Sequence, residues 1–232
     1  MASDEETSET VPALIVENAG LKSHRGWVFR DITFNAHAGE VTTVTGPAGT
    51  GRSTLLLACA GRLNLTHGSV DVPTRKNGKR HVRDKVNVAR IAGIISLDME
   101  LSVAGNINDA ADWAGMRRDE ARVLLSQWQR TFELDLPADL PAGELPALEL
   151  TILHLLCAAL GDPRVIVMDD FDDHLTIPQI SRLWEIAADV ARGEVSDPMA
   201  LVVSTVAAKA PPEIGPTVHL PVLEATAEGD NK

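Results

Sequence analysis

The chain has 232 residues, of which 44% are hydrophobic, and a formal net charge of -12. This length allows one large domain or a core with a subdomain, and the acidic balance argues against nucleic acid as the main partner. Cys59 and Cys157 lie in apolar helical runs, which favours core positions in a reducing compartment over a disulfide or a metal site. Because no apolar segment reaches membrane-span length and no signal pattern opens the chain, we expect a cytosolic protein.

The first 45 residues predict a disordered tail followed by three strands. Residues 1–10 are acidic and polar, which is typical of disorder. An apolar run at 14–17 and an alternating pattern at 27–34 predict two strands. After a turn at 38–40, the β-branched residues 41–45 predict a third strand.

The third strand leads into a glycine-rich loop and then an apolar helix, which we expect to end near Gly61. The loop matches the phosphate-binding pattern G-x-x-x-x-G-K-[ST], except that Arg52 replaces the lysine. Glycines let backbone N–H groups approach a phosphate, the cation would reach the β- and γ-phosphates, and the Ser53 hydroxyl would ligate Mg²⁺. The alternative is a glycine-rich turn that binds no ligand. The predicted nucleotide-binding residues are Gly46, Pro47, Ala48, Gly49, Thr50, Gly51, Arg52, Ser53 and Thr54.

A basic stretch follows a short predicted strand that ends at Val72. Residues 73–90 hold seven lysines and arginines against one aspartate, and Asn77-Gly78 indicates a turn. A solvated hairpin is the favoured interpretation, and a docking surface for an acidic partner or anionic lipid is the alternative. The apolar residues 91–96 then predict a buried strand.

From Ser102 onward, helices and strands alternate. A helical face around Trp128 predicts a core contact for that ring, and three prolines predict a loop over 133–147. A buried helix is then expected at 148–160, apolar strands at 165–168 and 201–205, a helix at 178–192 and a last strand at 217–223, before a polar, flexible tail at 225–232. This alternation is typical of a largely parallel α/β sheet.

The strand at 165–168 ends in two carboxylates, Asp169 and Asp170. Because the carboxyl ends of parallel strands meet at one edge of the sheet, Asp169 is predicted to share a Mg²⁺ ion with Ser53. Asp170 is the candidate catalytic residue that would polarise an attacking water, and a capping or ion-pairing role is an equal alternative.

The order of these segments resembles the ATP-binding cassette, the nucleotide-binding subunit of ABC transporters. The resemblance covers roughly residues 14–206 and is carried by GPAGTGRSTLLLACAGRL, HGSV and LGDPRVIVMDD. It implies an α/β fold of the P-loop NTPase type, with a RecA-like core, an N-terminal antiparallel β subdomain and an inserted helical subdomain. The implied division is 11–97 and 161–224 for the core and 98–160 for the helical part.

The resemblance also implies a composite site, in which the phosphate loop of one cassette meets the LSGGQ signature of another. Here the signature position reads Leu145-Pro-Ala-Leu-Glu149, because a register starting at Leu140 lies too far upstream. Pro146 removes a hydroxyl and an N–H, Leu148 replaces a glycine, and Glu149 adds negative charge. Hydrolysis is therefore expected to be impaired.

Other positions of the family pattern are also altered. Val206 stands in the place of a switch histidine, and Ser96 and Leu97 occupy the neighbourhood of an expected glutamine. His24, or else Trp27, is the nearest candidate for the ring that stacks on adenine.

Two functions remain open for a chain with these departures. The first is an ATPase subunit that binds ATP and Mg²⁺ and powers a separate multi-span permease from the cytoplasmic face of the membrane. The second is a degenerate, non-enzymatic structural or regulatory subunit. A homodimer would place a poor signature at both composite sites, whereas a second, intact cassette could complete one of them.

Overall fold

The computed structural model describes residues 11–73, 82–194, 196–205, 211 and 214–223. Two sheets and five α-helices make up this part of the chain. The strands are β1 (Leu14–Ser23), β2 (Gly26–Ala36), β3 (Val41–Thr45), β4 (His67–Asp71), β5 (Val86–Arg90), β6 (Val165–Met168), β7 (Ala200–Ser204) and β8 (Thr217–His219). The helices are α1 (Arg52–Cys59), α2 (Val103–Ala114), α3 (Arg118–Thr131), α4 (Ala147–Ala159) and α5 (Ile177–Arg192), with 3₁₀ turns at Val82–Asp84 and Ala142–Glu144.

The first sheet is antiparallel and has the order β2-β1-β4. Its long pair β1–β2 contains both buried and exposed residues, because one face packs on the core and the other meets solvent. The two strands bulge at several points, and both Asn18 and Asp31 adopt positive φ.

The second sheet is parallel, has the order β5-β6-β7-β3-β8, and forms the centre of the molecule. Every residue of β6 and β7 is buried, which explains why both read as continuous apolar runs. Since the strands are parallel, the ends of β3, β5, β6 and β7 open on the same edge. The predicted α/β class, with a parallel sheet beside an antiparallel one, is confirmed.

Helices α2, α3 and α4 lie in the segment 98–160, where a helical subdomain was expected. Ser102 caps α2 by accepting a hydrogen bond from the Gly105 N–H at 3.1 Å. Helix α4 is buried from Thr151 to Ala159 on all sides, as predicted, and the ring of Trp128 in α3 is 1% exposed. In the described residues no helix has the length and apolarity needed to cross a membrane.

Both cysteines are buried in helices, Cys59 in α1 and Cys157 in α4, and neither forms a disulfide. Burial raises the pKa of both thiols to about 12. This confirms their interpretation as core residues.

The structure corrects the strand expected at 91–96. The strand is β5 at 86–90, and the following residues form a tight turn in which Ile91 and Ile95 form an isolated bridge around Gly93. Ile94 is 66% exposed, so the apolar run does not form a buried strand. The last strand is also shorter than expected, at Thr217–His219.

Several sequence predictions fall outside the described residues. They concern the disordered tail at 1–10, the Asn77-Gly78 turn within the basic stretch, the histidine position at Val206 and the tail at 225–232.

Candidate functional site

The glycine-rich loop connects β3 to α1, as the sequence predicted. Gly46 has a φ of 151°, and a Cβ atom there would lie 2.6 Å from the Leu220 carbonyl oxygen and 2.8 Å from the Thr50 hydroxyl. Only glycine fits this position, because a side chain would force the loop away from the C-terminal segment. The Thr50 hydroxyl in turn donates to the Pro47 carbonyl at 2.9 Å, which closes the loop on itself.

Helix α1 begins where the loop ends, and its first turn contains Arg52, Ser53 and Thr54. Gly51 is the N-cap with a left-handed φ of 90°, and no side chain caps the helix. The N–H groups at the start of a helix lack intrahelical partners and carry partial positive charge. The loop and this helix end therefore have the character of an anion-binding site.

Arg52 links the loop to the neighbouring strand ends. Its guanidinium donates to the carbonyl oxygen of Thr205, directly after β7, and lies 3.8 Å from a carboxylate oxygen of Asp170. The Arg52 and Asp170 side chains are 15% and 26% exposed, so solvent screens this pair only in part. The structure thus brings the predicted phosphate-contacting cation and the predicted catalytic carboxylate together.

Asp169 follows β6 and is fully buried. One of its carboxylate oxygens accepts a hydrogen bond from the Ser204 hydroxyl at the end of β7, and its N–H donates to the Arg90 carbonyl at 2.9 Å. Its other carboxylate oxygen, Oδ2, is buried and has no hydrogen-bond partner among the described residues. A buried carboxylate oxygen without a partner is costly in a folded protein, and it fits a ligand for a hard divalent cation.

Within the described residues, no three His, Cys, Asp or Glu side chains are grouped so that they alone hold a metal ion. Mg²⁺ usually takes one or two protein oxygens and completes its shell with phosphates and water. The unpartnered Oδ2 of Asp169 is a protein oxygen of the kind that this mode of binding uses.

Asp170 occupies a strained backbone position with a φ of 46°. Its N–H donates to the Ser204 hydroxyl at 2.9 Å, and its carbonyl accepts from Arg90. Burial raises the pKa of its carboxyl group, as does the neighbouring charge of Asp169, while Arg52 acts in the opposite direction. The ion-pairing role considered from the sequence therefore has a defined partner in Arg52.

The predicted adenine-stacking residue makes none of the contacts described above. His24 is exposed in the turn between β1 and β2, and the described contacts include none between His24 and the loop. Val28 and Phe29 are the β2 residues beside the loop, since a Cβ atom on Gly51 would meet their side chains at 2.7 and 3.3 Å. The alternative ring, Trp27, makes an edge contact with His67, and the Lys22 ammonium lies 5.6 Å above it.

The segment at the signature position leads into α4, as expected. Pro146 is the N-cap and supplies no side-chain hydrogen bond, while Glu149 lies in the first turn. Leu145 is buried, and Glu144 is exposed on the preceding 3₁₀ turn. The carboxylates of Glu144 and Glu149 therefore lie near this end of α4, where their negative charge opposes anion binding by the free N–H groups of the first turn.

Helix α4 is also tied to the segment that follows β5. The His154 imidazole Nδ1 lies 2.8 Å from the Leu150 carbonyl, and its Nε2 lies 3.0 Å from the Ser96 hydroxyl. Burial lowers the pKa of His154 to about 4, so Nδ1 donates and Nε2 accepts in the neutral ring.

Two residues that the sequence did not assign to the site hold its acidic pair. Arg90 ends β5 and Ser204 ends β7, so both lie at the same sheet edge as Asp169. Ser204 is the penultimate residue of the strand predicted at 201–205, so its place at this edge follows from the sequence. Arg90 lies in the basic stretch, one residue before the strand predicted at 91–96, so its place in β5 does not.

Comparisons with known proteins bear on the family and the fold of the chain. The model of the ABC transporter family matches residues 29–172, which is more than half of the chain. The Nod factor export ATP-binding protein I of Burkholderia orbicola is 28% identical over 173 residues, covering 72% of this chain and 55% of that protein. The ribose import ATP-binding protein RbsA of Caldanaerobacter subterraneus is 26% identical over 186 residues, covering 75% of this chain and 36% of that protein.

The fold has solved counterparts as well. The dimeric structure of a bacterial ABC transporter cassette superposes with a TM-score of 0.70 at 17% identity, covering 90% of this chain and 94% of that one. The likeness supports the ABC ATPase type of P-loop fold that the sequence predicted. The chain spans about half the length of the export proteins it matches.

Proposed function

Because the chain belongs to the ABC transporter family, we propose that it is a nucleotide-binding subunit that binds Mg-ATP at residues 46–54 and hydrolyses it slowly. Family membership implies nucleotide binding, and the contact that links Arg52 to both Asp170 and Thr205 carries the assignment to this site. This contact supports a single site made of the phosphate loop and the acidic pair, because the side chain of Arg52, at the end of the loop, lies next to Asp170.

In this proposal the loop N–H groups and the start of α1 bind the phosphates, and Arg52 adds charge near the β- and γ-phosphates. Asp169 and Ser53 would hold Mg²⁺, which offsets phosphate charge in the transition state. Asp170 would orient the attacking water. Arg52 retains the positive charge of the usual lysine, but its planar fork is bulkier and points at other partners here, so we expect weakened binding.

The partner in this proposal is a separate multi-span membrane permease, which would place the chain in the cytoplasm, against the membrane. Both relatives described above are named as transport ATP-binding proteins, one for export and one for import, so they do not fix a direction. The composite site of the family further requires a second cassette. The carboxylates near the start of α4 favour an intact second cassette over a second copy of this chain, since a homodimer would bring negative charge to the nucleotides of both composite sites and a heterodimer to only one.

A non-enzymatic subunit is the second candidate, and the start of α4 is the observation that favours it. Pro146 and Glu149 stand where donors to a γ-phosphate are expected. Removal of one positioned transition-state donor commonly costs about 100-fold or more in rate.

Two measurements on the purified full chain test the proposal. Calorimetry with ATP and Mg²⁺ should show binding to the wild type and weakened binding to Gly51→Val, which distorts the loop because its side chain would clash with Val28 and disfavours the left-handed φ. Absence of binding to the wild type would contradict the nucleotide assignment. Steady-state phosphate release should be higher for the wild type than for Asp170→Asn. Equal background rates in the two would contradict the ATPase function and favour the non-enzymatic subunit.

A further inference from the structure

Arg90 is attached to the acidic pair through the backbone. The residue ends β5, and its half-buried guanidinium donates to the Asp169 carbonyl from Nε at 3.3 Å and from Nη2 at 3.2 Å. Nη2 also donates to the Asp170 carbonyl. In return, the Arg90 carbonyl accepts the Asp169 N–H at 2.9 Å.

The turn that Arg90 contacts is held by more than local preference. Asp170 adopts a left-handed φ, which aspartate tolerates better than most residues but at a cost, so the surrounding contacts help to fix it. Ser204 fixes the turn from β7, because its hydroxyl bonds both the Asp169 carboxylate and the Asp170 N–H, and its carbonyl accepts the Phe171 N–H at 2.8 Å.

Arg90 and Ser204 therefore bind the turn from the two strands that flank β6. The sheet order β5-β6-β7 places one on each side. Ser204 forms hydrogen bonds with the N–H groups of Asp170 and Phe171 and with one carboxylate oxygen of Asp169. Arg90 donates hydrogen bonds to the carbonyls of Asp169 and Asp170. With these contacts in place, Oδ2 of Asp169 is the buried carboxylate oxygen left without a partner among the described residues.

We propose that Arg90 is a positioning residue, which fixes the Asp169–Asp170 turn so that the Asp169 carboxylate is oriented for a divalent cation. This inference rests on the proposed nucleotide function. Arg90 itself touches neither cation nor nucleotide in this account. Removal of a residue that orients a metal ligand without touching the metal typically lowers metal affinity about 10- to 100-fold.

Binding of ADP to the full chain, measured by calorimetry with Mg²⁺ and again with EDTA, separates positioning from general damage. In the wild type, Mg²⁺ should tighten ADP binding. Arg90→Met keeps the apolar stem but removes the donors, and it should reduce the Mg²⁺-dependent gain about tenfold while binding in EDTA changes less than about twofold. In an Asp169→Asn background, Arg90→Met should have no further effect.

Arg182→Met is the matched control. Arg182 is also half-buried and donates to a main-chain carbonyl, that of Phe132 at 2.8 Å, but it lies on α5. Its replacement should leave the Mg²⁺-dependent gain unchanged. Equal weakening by Arg90→Met with and without Mg²⁺ would overturn the positioning role.

Amide hydrogen exchange in the ligand-free chain supplies a test that needs no nucleotide. Arg90→Met should speed exchange at Asp169, Asp170 and Phe171 about tenfold or more, while Val202 in the centre of β7 stays protected. Unchanged exchange in the turn would overturn the proposal whatever the calorimetry shows. If the wild type binds no ADP or ATP, the proposed function fails, and exchange alone decides whether Arg90 fixes the turn.

Discussion

At the scale of single residues, the contact between Arg52 and Asp170 suggests competition with nucleotide. In the structure the guanidinium faces an internal carboxylate 3.8 Å away instead of a phosphate. A nucleotide that recruits Arg52 must replace this interaction, which for a partly exposed pair is worth up to about 1 kcal/mol.

We therefore expect Asp170→Asn to tighten ADP binding about fivefold in the presence of EDTA. The same change in an Arg52→Ala background should have no effect, because the competing pair is already absent. Calorimetry on the four variants measures this coupling. If Asp170→Asn tightens binding equally in both backgrounds, repulsion between carboxylate and phosphate is the cause instead.

Ser204 gives a prediction about stability. Its hydroxyl bonds Asp169 and Asp170 at a buried position, so Ser204→Ala leaves a buried carboxylate oxygen and an N–H without that partner. We expect the free energy of unfolding to fall by about 2 kcal/mol, as measured by urea denaturation. Ser126→Ala is the control, because the Ser126 hydroxyl bonds the Arg122 carbonyl on an exposed helix. A loss of equal size in both variants would contradict the role given to Ser204.

At the scale of elements, α4 contains a histidine that should make stability depend on pH. Burial lowers the pKa of His154 to about 4 from a usual value near 6.5. Below pH 6.5 this imidazole is protonated in the unfolded chain but stays neutral in the folded chain. The contribution of His154 to the free energy of unfolding is therefore fully present above pH 6.5 and is lost as the pH falls toward 4.

The contribution of His154 to this loss should be about 3 kcal/mol between pH 7 and pH 4. His154→Leu removes the titrating ring, so its unfolding free energy should fall less steeply over this range. The measurement is urea denaturation at a series of pH values. Parallel slopes for wild type and His154→Leu would contradict the buried neutral state.

The elements also show what the sequence could and could not predict. Strands β3 and β6 and helix α1 were predictable, because their apolar patterns and the glycine loop are local signals. Strand β5 was not, because its residues include Asn87 and Arg90, whose partners lie far along the chain. Asn87 donates to the carbonyls of Ala158 and Leu160, and these contacts allow a polar side chain beside the core.

The same limit applies to the candidate site. The common location of the loop and the acidic pair could be predicted, because parallel strands present their carboxyl ends at one edge of the sheet. The role of Arg90 could not, because the backbone carbonyls that it binds leave no trace in sequence as hydrogen-bond acceptors. The pairing of Arg52 with Asp170 was not predicted either, because it depends on the direction in which each side chain points.

At the scale of the whole molecule, assembly depends on the start of α4. We expect the chain alone to remain monomeric with Mg-ATP in light scattering, because Glu149 and Pro146 would face the phosphates of a second copy. Pro146→Ser, Leu148→Gly and Glu149→Gln together should shift the chain toward a dimer in the presence of Mg-ATP. Arg117→Gln, on an exposed helix end, is the control.

A wild-type chain that dimerises with Mg-ATP would contradict this account of the α4 end. It would also remove the reason for expecting an intact second cassette.

The two buried cysteines have a practical consequence for these experiments. A thiol reagent attacks only the thiolate, and both native side chains are enclosed and protonated at neutral pH. The folded wild type should therefore resist maleimide labelling. One cysteine introduced at Trp113, whose side chain is 89% exposed, would then carry a fluorophore selectively, so that energy transfer between differently labelled copies could follow their association.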